Sequence, residues 1–269
     1  KFFRRQLLAG TAACGVIVAA SVGTADAASS LPQGGQVIGG SASISYASPT
    51  QLNITSTSNN SAIAWQSFDI AQGSKVTVNQ PSATSTQLEQ VTGTSASQIF
   101  GTLSSIGRIV VANPNGIWFG PSAQVDVAGL VATTAHASAA DVATFAAGGS
   151  LNLSQAGNAK ASVVNQGTIT ISQAGLAAFV APGVANDGVI QAKLGKVQLA
   201  SGTTATVDFY GDGLINLAVT GQTTAQALGP DGKPLSAAVS NSGTLNADGG
   251  TVLMTANVAA GVVDQVINT

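Results

Sequence analysis

Apolar and polar residues alternate in short runs along much of the chain: Lys75-Val76-Thr77-Val78, Gln124-Val125-Asp126-Val127, Thr168-Ile169-Thr170-Ile171, Lys196-Val197-Gln198-Leu199 and Leu214-Ile215-Asn216-Leu217. A period of two built on β-branched residues puts successive side chains on opposite faces, so each run predicts a half-buried strand. Gly, Asn and Ser separate the runs. No long amphipathic helix is predicted, and the Ala-rich stretch from Ser138 to Ala147 reads as one short helical or irregular excursion.

A turn followed by a strand repeats. Val164-Asn165-Gln166-Gly167-Thr168-Ile169 recurs as Ala185-Asn186-Asp187-Gly188-Val189-Ile190 and again as Ser240-Asn241-Ser242-Gly243-Thr244-Leu245. The first two copies lie about 21 residues apart, within the range of periods that signals stacked coils. The third lies about 55 further on, room for two or three more coils of that length. Asn and Gly tolerate the left-handed backbone conformation, which suits them to corners. An antiparallel sandwich also has short strands and Gly-rich turns, but tight two-residue hairpin signals are infrequent here and the repeat favours a parallel solenoid. Corner asparagines in such a solenoid are placed to stack in ladders.

Composition agrees with small side chains stacked in layers. Of 269 residues 45% are hydrophobic but only 7% charged and 4% aromatic, with 32 glycines, so Ser, Thr, Asn and Gln must keep the surface wet. Disorder couples low hydrophobicity to high net charge and does not fit. The first residues read as a signal peptide: Lys1, Arg4 and Arg5 form a positive segment, Leu7 to Ala20 is apolar apart from Thr11, and Ala25-Asp26-Ala27 is a cleavage site, with processing after Ala27. The apolar run is too short to span a bilayer. Arg4-Arg5 is compatible with either the general or the twin-arginine route of inner-membrane export. Thr11-Ala12-Ala13-Cys14 is only a partial lipobox, and the apolar run continues past it. Cys14 is the one cysteine, so processing leaves no thiol for a disulfide or a cysteine metal site. Removing Lys1, Arg4, Arg5 and Asp26 leaves six basic and ten acidic residues of the original nine and eleven, a net charge of −4. That balance gives nucleic acid no basic footprint.

Between Ala64 and Thr134 the order of features is more specific than solenoid sequence in general. It runs Ala64-Trp65-Gln66-Ser67-Phe68-Asp69-Ile70, Val76-Thr77-Val78-Asn79-Gln80-Pro81-Ser82, Ser97-Gln98-Ile99-Phe100-Gly101-Thr102-Leu103, Asn113-Pro114-Asn115-Gly116-Ile117-Trp118-Phe119-Gly120 and Gly129-Leu130-Val131-Ala132-Thr133-Thr134. This set resembles the filamentous-haemagglutinin-like, or haemagglutination-activity, secretion domain of two-partner-secretion exoproteins. The resemblance begins near Leu31 and continues more loosely to about Ala218. It implies an all-β fold, a right-handed parallel β-helix with an N-terminal cap and small extra-helical strands. It also implies export across the inner membrane, recognition by an outer-membrane β-barrel transporter with periplasmic POTRA domains, passage in extended form and folding at the cell surface. Two departures stand out. Leu88-Glu89-Gln90-Val91-Thr92-Gly93 replaces a common Asn-Arg pair before Val-Thr-Gly, and the second family motif, Asn-Pro-Asn-Leu, is absent as such.

The resemblance makes Asn113, Pro114, Asn115, Gly116 and Ile117 the secretion motif. Their own chemistry predicts a turn: Pro114 fixes φ and biases Asn113 away from helix, and Asn115-Gly116 suits positive φ before Ile117 and Phe119 re-enter a strand. Such a turn serves either as a structural corner or as a contact read by the transporter. No catalytic constellation or cofactor site is predicted. His136 is the only histidine and stands without a nearby Cys or carboxylate, Asp208 and Asp212 flank Tyr210 in a turn, and Asp231-Gly232 marks another. A polysaccharide-cleaving β-helix would need acidic, basic or calcium-binding residues clustered on one face. The expected organisation is a signal peptide over residues 1–27, a secretion domain over 28–218 and further coils over 219–269 of a truncated solenoid. The expected role is the delivery end of a non-enzymatic surface adhesin with a host or cell-surface ligand of unspecified chemistry; a cytolysin or contact-dependent toxin would share the same N-terminus.

Overall fold

The structure, a computed structural model, describes residues 30–172, 174–208 and 216–269. The signal-peptide residues Ala25 and Ala27, the turn residues Tyr210 and Asp212, and Leu214-Ile215 lie outside the described residues. What is described is a parallel β-helix: two sheets of eight strands and one of six, each built from strands of successive coils.

One coil shows the plan. Ser162–Asn165 contributes to the six-stranded sheet, Thr168–Ile171 to one eight-stranded sheet and Leu176–Ala181 to the other. The chain then returns to Gly183–Asn186, which pairs in parallel with Ser162–Asn165, Ser162 opposite Gly183 and Asn165 opposite Asn186. Three of the alternating runs, 75–78, Gln124–Val127 and Thr168–Ile171, occupy the sheet that has one open face, where in Gln51–Ser56 Leu52 and Ile54 are fully buried while Gln51 and Thr55 are exposed. The run 196–199 lies instead in the other eight-stranded sheet, with Val197, Gln198 and Leu199 all buried. Thr86–Val91, Gly129–Thr133 and Leu176–Ala181 are buried at every position and show no such alternation. Their sheet is covered on both sides.

The cover is an excursion from the coil. Ala139–Ala146 is a helix, started by Ser138, whose hydroxyl accepts the Asp141 N–H while Asp141 accepts the Ser138 N–H. Beside it lies a small antiparallel sheet of Leu151–Leu153, Thr204–Asp208 and Asn216–Thr220. Val142, Phe145, Leu151, Leu153 and Val207 from these elements pack on Ala62, Leu88, Val110 and Ala178 of the covered sheet. A larger apolar cluster fills the solenoid interior, where Phe119 and Phe179 stack at 5.8 Å. At the N-terminal end, Gln36–Gly39 runs antiparallel to Asn60–Trp65 and Ala42–Ser48 antiparallel to Gln51–Ser56, which caps the helix.

The repeat has one coil where its spacing left room for two or three. Asn186 pairs directly with Asn241, so the intervening 55 residues close a single coil. The surplus length goes into the extra-helical hairpin and into residues 222–236, which fold onto the outer face of the six-stranded sheet. The corners also differ from expectation, because neither Asn165, Asn186 and Asn241 nor Gly167, Gly188 and Gly243 has positive φ. Glycine is required there for close approach: a Cβ on Gly188 would overlap the carbonyl oxygen of Gly167, and one on Gly243 that of Gly188.

The asparagines form the expected ladder. Nδ2 of Asn165 donates to Oδ1 of Asn186 at 2.8 Å, Asn186 to Asn241 at 2.7 Å, and Asn241 to Asn268 at 2.8 Å. Each of the first three also donates to the carbonyl of the glycine two residues on. A buried amide left without its partner costs about 1–3 kcal/mol. Asn186→Ala, which breaks two rungs, is therefore expected to lower the unfolding free energy by roughly 2–4 kcal/mol, measured by urea denaturation. Gly243→Ala is expected to lower it by about 1–3 kcal/mol through steric conflict, while Ser242→Ala beside it, which loses an exposed hydroxyl bond to Asp187, lowers it by less than about 1 kcal/mol.

Candidate functional site

The five motif residues form the corner between Arg108–Ala112 and Ile117–Phe119. The Gly116 N–H donates to the Asn113 carbonyl at 3.0 Å, and the Asn115 N–H donates to the Asn113 side-chain oxygen at 2.9 Å, closing the turn twice. Gly116 has φ +114°, the positive value expected from the sequence.

The corner is fastened to the coils on both sides. Asn113 is fully buried, and its Nδ2 donates to the Ser95 carbonyl at 3.0 Å and the Ser97 hydroxyl at 2.9 Å. Asn115 Nδ2 reaches the Gly93 carbonyl at 2.9 Å. On the following coil, the Asn158 N–H donates to the Pro114 carbonyl. A Cβ on Gly116 would press on the Ser162 carbonyl. Ile117 points into the core at 2% exposure. The motif's amides are therefore spent on the protein's own backbone, and the neighbour that faces outward is Trp118.

Trp118 sits half-buried at the edge of a surface trough. Its indole packs edge-on with Phe100 at 4.7 Å, and its Nε1 donates to Gln166 at 3.1 Å. On one side of it Gln98, Asn115, Asn158, Lys160 and Pro230 help to line a cavity of about 370 Å³. On the other side Gln166, Asp187 and Pro230 help to line one of about 330 Å³. Residues 222–236 make the shared wall, anchored where the Ser162 hydroxyl donates to the Leu228 carbonyl at 2.7 Å and the Leu228 N–H to the Lys160 carbonyl. Trp118 was legible in the sequence only as the residue that follows the motif in the ordered family pattern, and nothing local indicated that a segment more than a hundred residues later would wall its trough.

The preceding coils contain polar groups that the sequence reading passed over. Asp69 accepts the Gln98 N–H at 2.8 Å; burial pushes its carboxyl upward, against the pull of hydrogen bonds from Gln98 and Ser67. Gln90, in the departure from the family pattern, exchanges both amide groups with the Ala137 backbone at 2.9 and 3.2 Å, so this strand holds the start of the helical excursion. Glu89 beside it is buried in the interior, and that burial pushes its carboxyl up to about 7 despite hydrogen bonds from Trp65 and Gln87. The available signal was a strand with Gln87 and Glu89 at inward-alternating positions. His136 pairs with Gln155 only through the backbone, and burial lowers its basicity. Among the described residues no three of His, Cys, Asp and Glu gather as a metal site.

With this geometry in view, comparison with known proteins is decisive for the family. Two heme/hemopexin-binding proteins of Haemophilus influenzae are 42% and 37% identical over 104 and 103 residues, which is 39% and 38% of this chain and 11% of each relative. The matched region thus spans about a tenth of those relatives. The crystal structure of the HMW1 secretion domain from Haemophilus influenzae superposes with a TM-score of 0.69 at 26% identity, over 88% of this chain and 57% of that one. A sequence profile described as the TPS secretion domain matches residues 26–269. The chain therefore belongs to the TPS, or two-partner-secretion, secretion domain family, the secretion module of large exoproteins.

Proposed function

We propose that this domain heads a large surface adhesin or haemagglutinin and carries it, without catalysis, through a dedicated outer-membrane β-barrel with POTRA domains. The route runs from the inner membrane, where a signal peptide ending at Ala27 is removed, through the periplasm to the cell surface. Membership of the secretion-domain family is the observation that carries this reading. The solenoid suits it physically. Each coil pairs with its immediate neighbours, so a chain emerging from a pore can fold coil by coil without waiting for distant partners. A second reading of the cargo rests on the heme/hemopexin-binding relatives: the same delivery domain would then head a protein that captures heme or its carrier.

Within the domain, Asn113 to Ile117 acts first as a corner. Asn113 makes two side-chain donations to the previous coil and is fully buried. Asn115 donates once to that coil and is half-buried. A surface for the transporter on the folded domain is better supplied by the trough beside Trp118.

Export should depend on the partner barrel: the chain is expected in the medium of cells that carry the barrel and not of cells that lack it, and equal amounts in both would sink the two-partner reading. Asn113→Ala is expected to cost about 2–3 kcal/mol of stability and Asn115→Ala about 1 kcal/mol, with export falling in the same order, measured by denaturation and by immunoblot of the medium. Loss of export by Asn115→Ala with unchanged stability would instead make that side chain a transporter contact.

A further inference from the structure

In the two central inward columns of the covered sheet, the solenoid interior is apolar except near its N-terminal end, the asparagine ladder lying at a corner. Stacking register aligns Ile63, Glu89, Val111, Ala132, Phe179, Leu199 and Met254 in one column through successive coils. Glu89 is the single charged member. The neighbouring column begins with Ser61 and Gln87 before continuing as Ile109, Leu130, Ala177 and Val197. Both columns therefore hold polar side chains in the first coils at positions that later coils fill with hydrocarbon.

These groups form one directed chain. Ser56 Oγ donates to Ser61 Oγ at 2.7 Å, Ser61 to Gln87 Oε1 at 3.1 Å, and Gln87 Nε2 to Glu89 Oε1 at 2.7 Å. Trp65 Nε1 donates to the other carboxyl oxygen at 2.7 Å. All donors end on the carboxyl, and none of them carries a charge. Its own strand presents Gln87 and Val91, the strand before it Ser61, Ile63 and Trp65, and the strand after it Ile109 and Val111; the rest of the interior cluster is apolar. Arg108, at the start of that last strand, directs its guanidinium to the Thr84 carbonyl on the outside. Asp69 is engaged by Gln98 and Ser67. No cation among the described residues compensates the Glu89 charge.

We propose that Glu89 is a folding brake: an uncompensated carboxylate at the heart of the first coils weakens their closure at neutral pH and so keeps the exported chain open for threading. The inference rests on the secretion role proposed above. A hydrophobic residue would fit the column better, since its counterparts before and after are Ile63 and Val111, and replacing buried ionised groups by apolar ones is commonly stabilising. Retaining the carboxylate thus lowers stability where a secreted chain gains from delayed folding.

The pH dependence has a definite sign. The carboxyl titrates near 4.5 in the open chain and at about 7 in the fold, so the folded state binds the extra proton between those values. Stability is then greatest in acid, falls as pH rises through that window and levels off above neutrality, a change in folding constant on the order of a hundredfold.

Glu89→Gln keeps the shape and removes the charge. The full chain and this variant would be compared by urea unfolding from acid to mildly alkaline pH, by refolding rate at alkaline pH, and by export from cells carrying the partner barrel. The expected result is a flattened pH profile, faster refolding and a several-fold loss of export. An unchanged profile would show that Glu89 is not the titrating group, and a flat profile with parental export would show that it does not serve secretion; either overturns the proposal. Should Glu89→Gln fail to fold, the double variant Gln87→Leu/Glu89→Leu restores an apolar column. Reduced export with a flat profile then supports the brake, whereas parental export, or failure of both variants to fold, overturns it. Barrel-independent export of the parent chain would instead fail the secretion reading itself.

Discussion

Parallel, in-register stacking governs which side chains this chain tolerates, because every inward residue touches its own counterpart in the coils before and after it. Hydrogen bonds between coils set that register, and the side chains must then agree column by column. Asn165, Asn186, Asn241 and Asn268 agree by bonding amide to amide. Between columns, Phe119 and Phe179 from different sheets lie parallel across the interior. The same rule explains the corner glycines, since stacked corners bring a carbonyl of one coil against the Cα of the next. One unsuitable residue disturbs a column rather than a point.

The motif corner is an instance of the same constraint. Asn113 and Asn115 reach back to the backbone of residues 93–97, and Pro114 offers its carbonyl forward to Asn158. Three coils are tied at one place, backward by two amide side chains and forward by the backbone. Because these amides are bonded to the coil before, the corner is part of the stacking rather than an exposed surface. The residue that faces outward beside the corner is Trp118, whose surroundings are assembled by an insertion from a later coil.

Insertions also explain how a regular solenoid becomes a distinct domain. The helix and the small antiparallel sheet cover one face of an eight-stranded sheet and turn it into a second core. Gln90 fastens the entry to that cover through the Ala137 backbone. The adjacent Glu89 points the other way, into the interior, where its charge has no partner of opposite sign. Adjacent residues of one strand, on its opposite faces, thus serve opposite ends: one stabilises the cover, and its neighbour weakens the coil.

The sequence by itself determined the strands with one open face, because period-two alternation is a direct image of one wet and one dry side; Thr168–Ile171 and Gln124–Val127 were legible for that reason. It also determined the asparagine repeat and the turn at Gly116, both properties of short segments. Only the tertiary structure decided that 55 residues close one coil, that the corner glycines answer a close approach rather than a left-handed backbone, and that residues 222–236 wall the trough. It likewise decided that Glu89 lies inside an apolar column. Alternation states that two faces differ, whereas which strand stacks on which, and therefore what each side chain meets, depends on partners 21 to 55 residues away. Local periodicity carries no record of that distance.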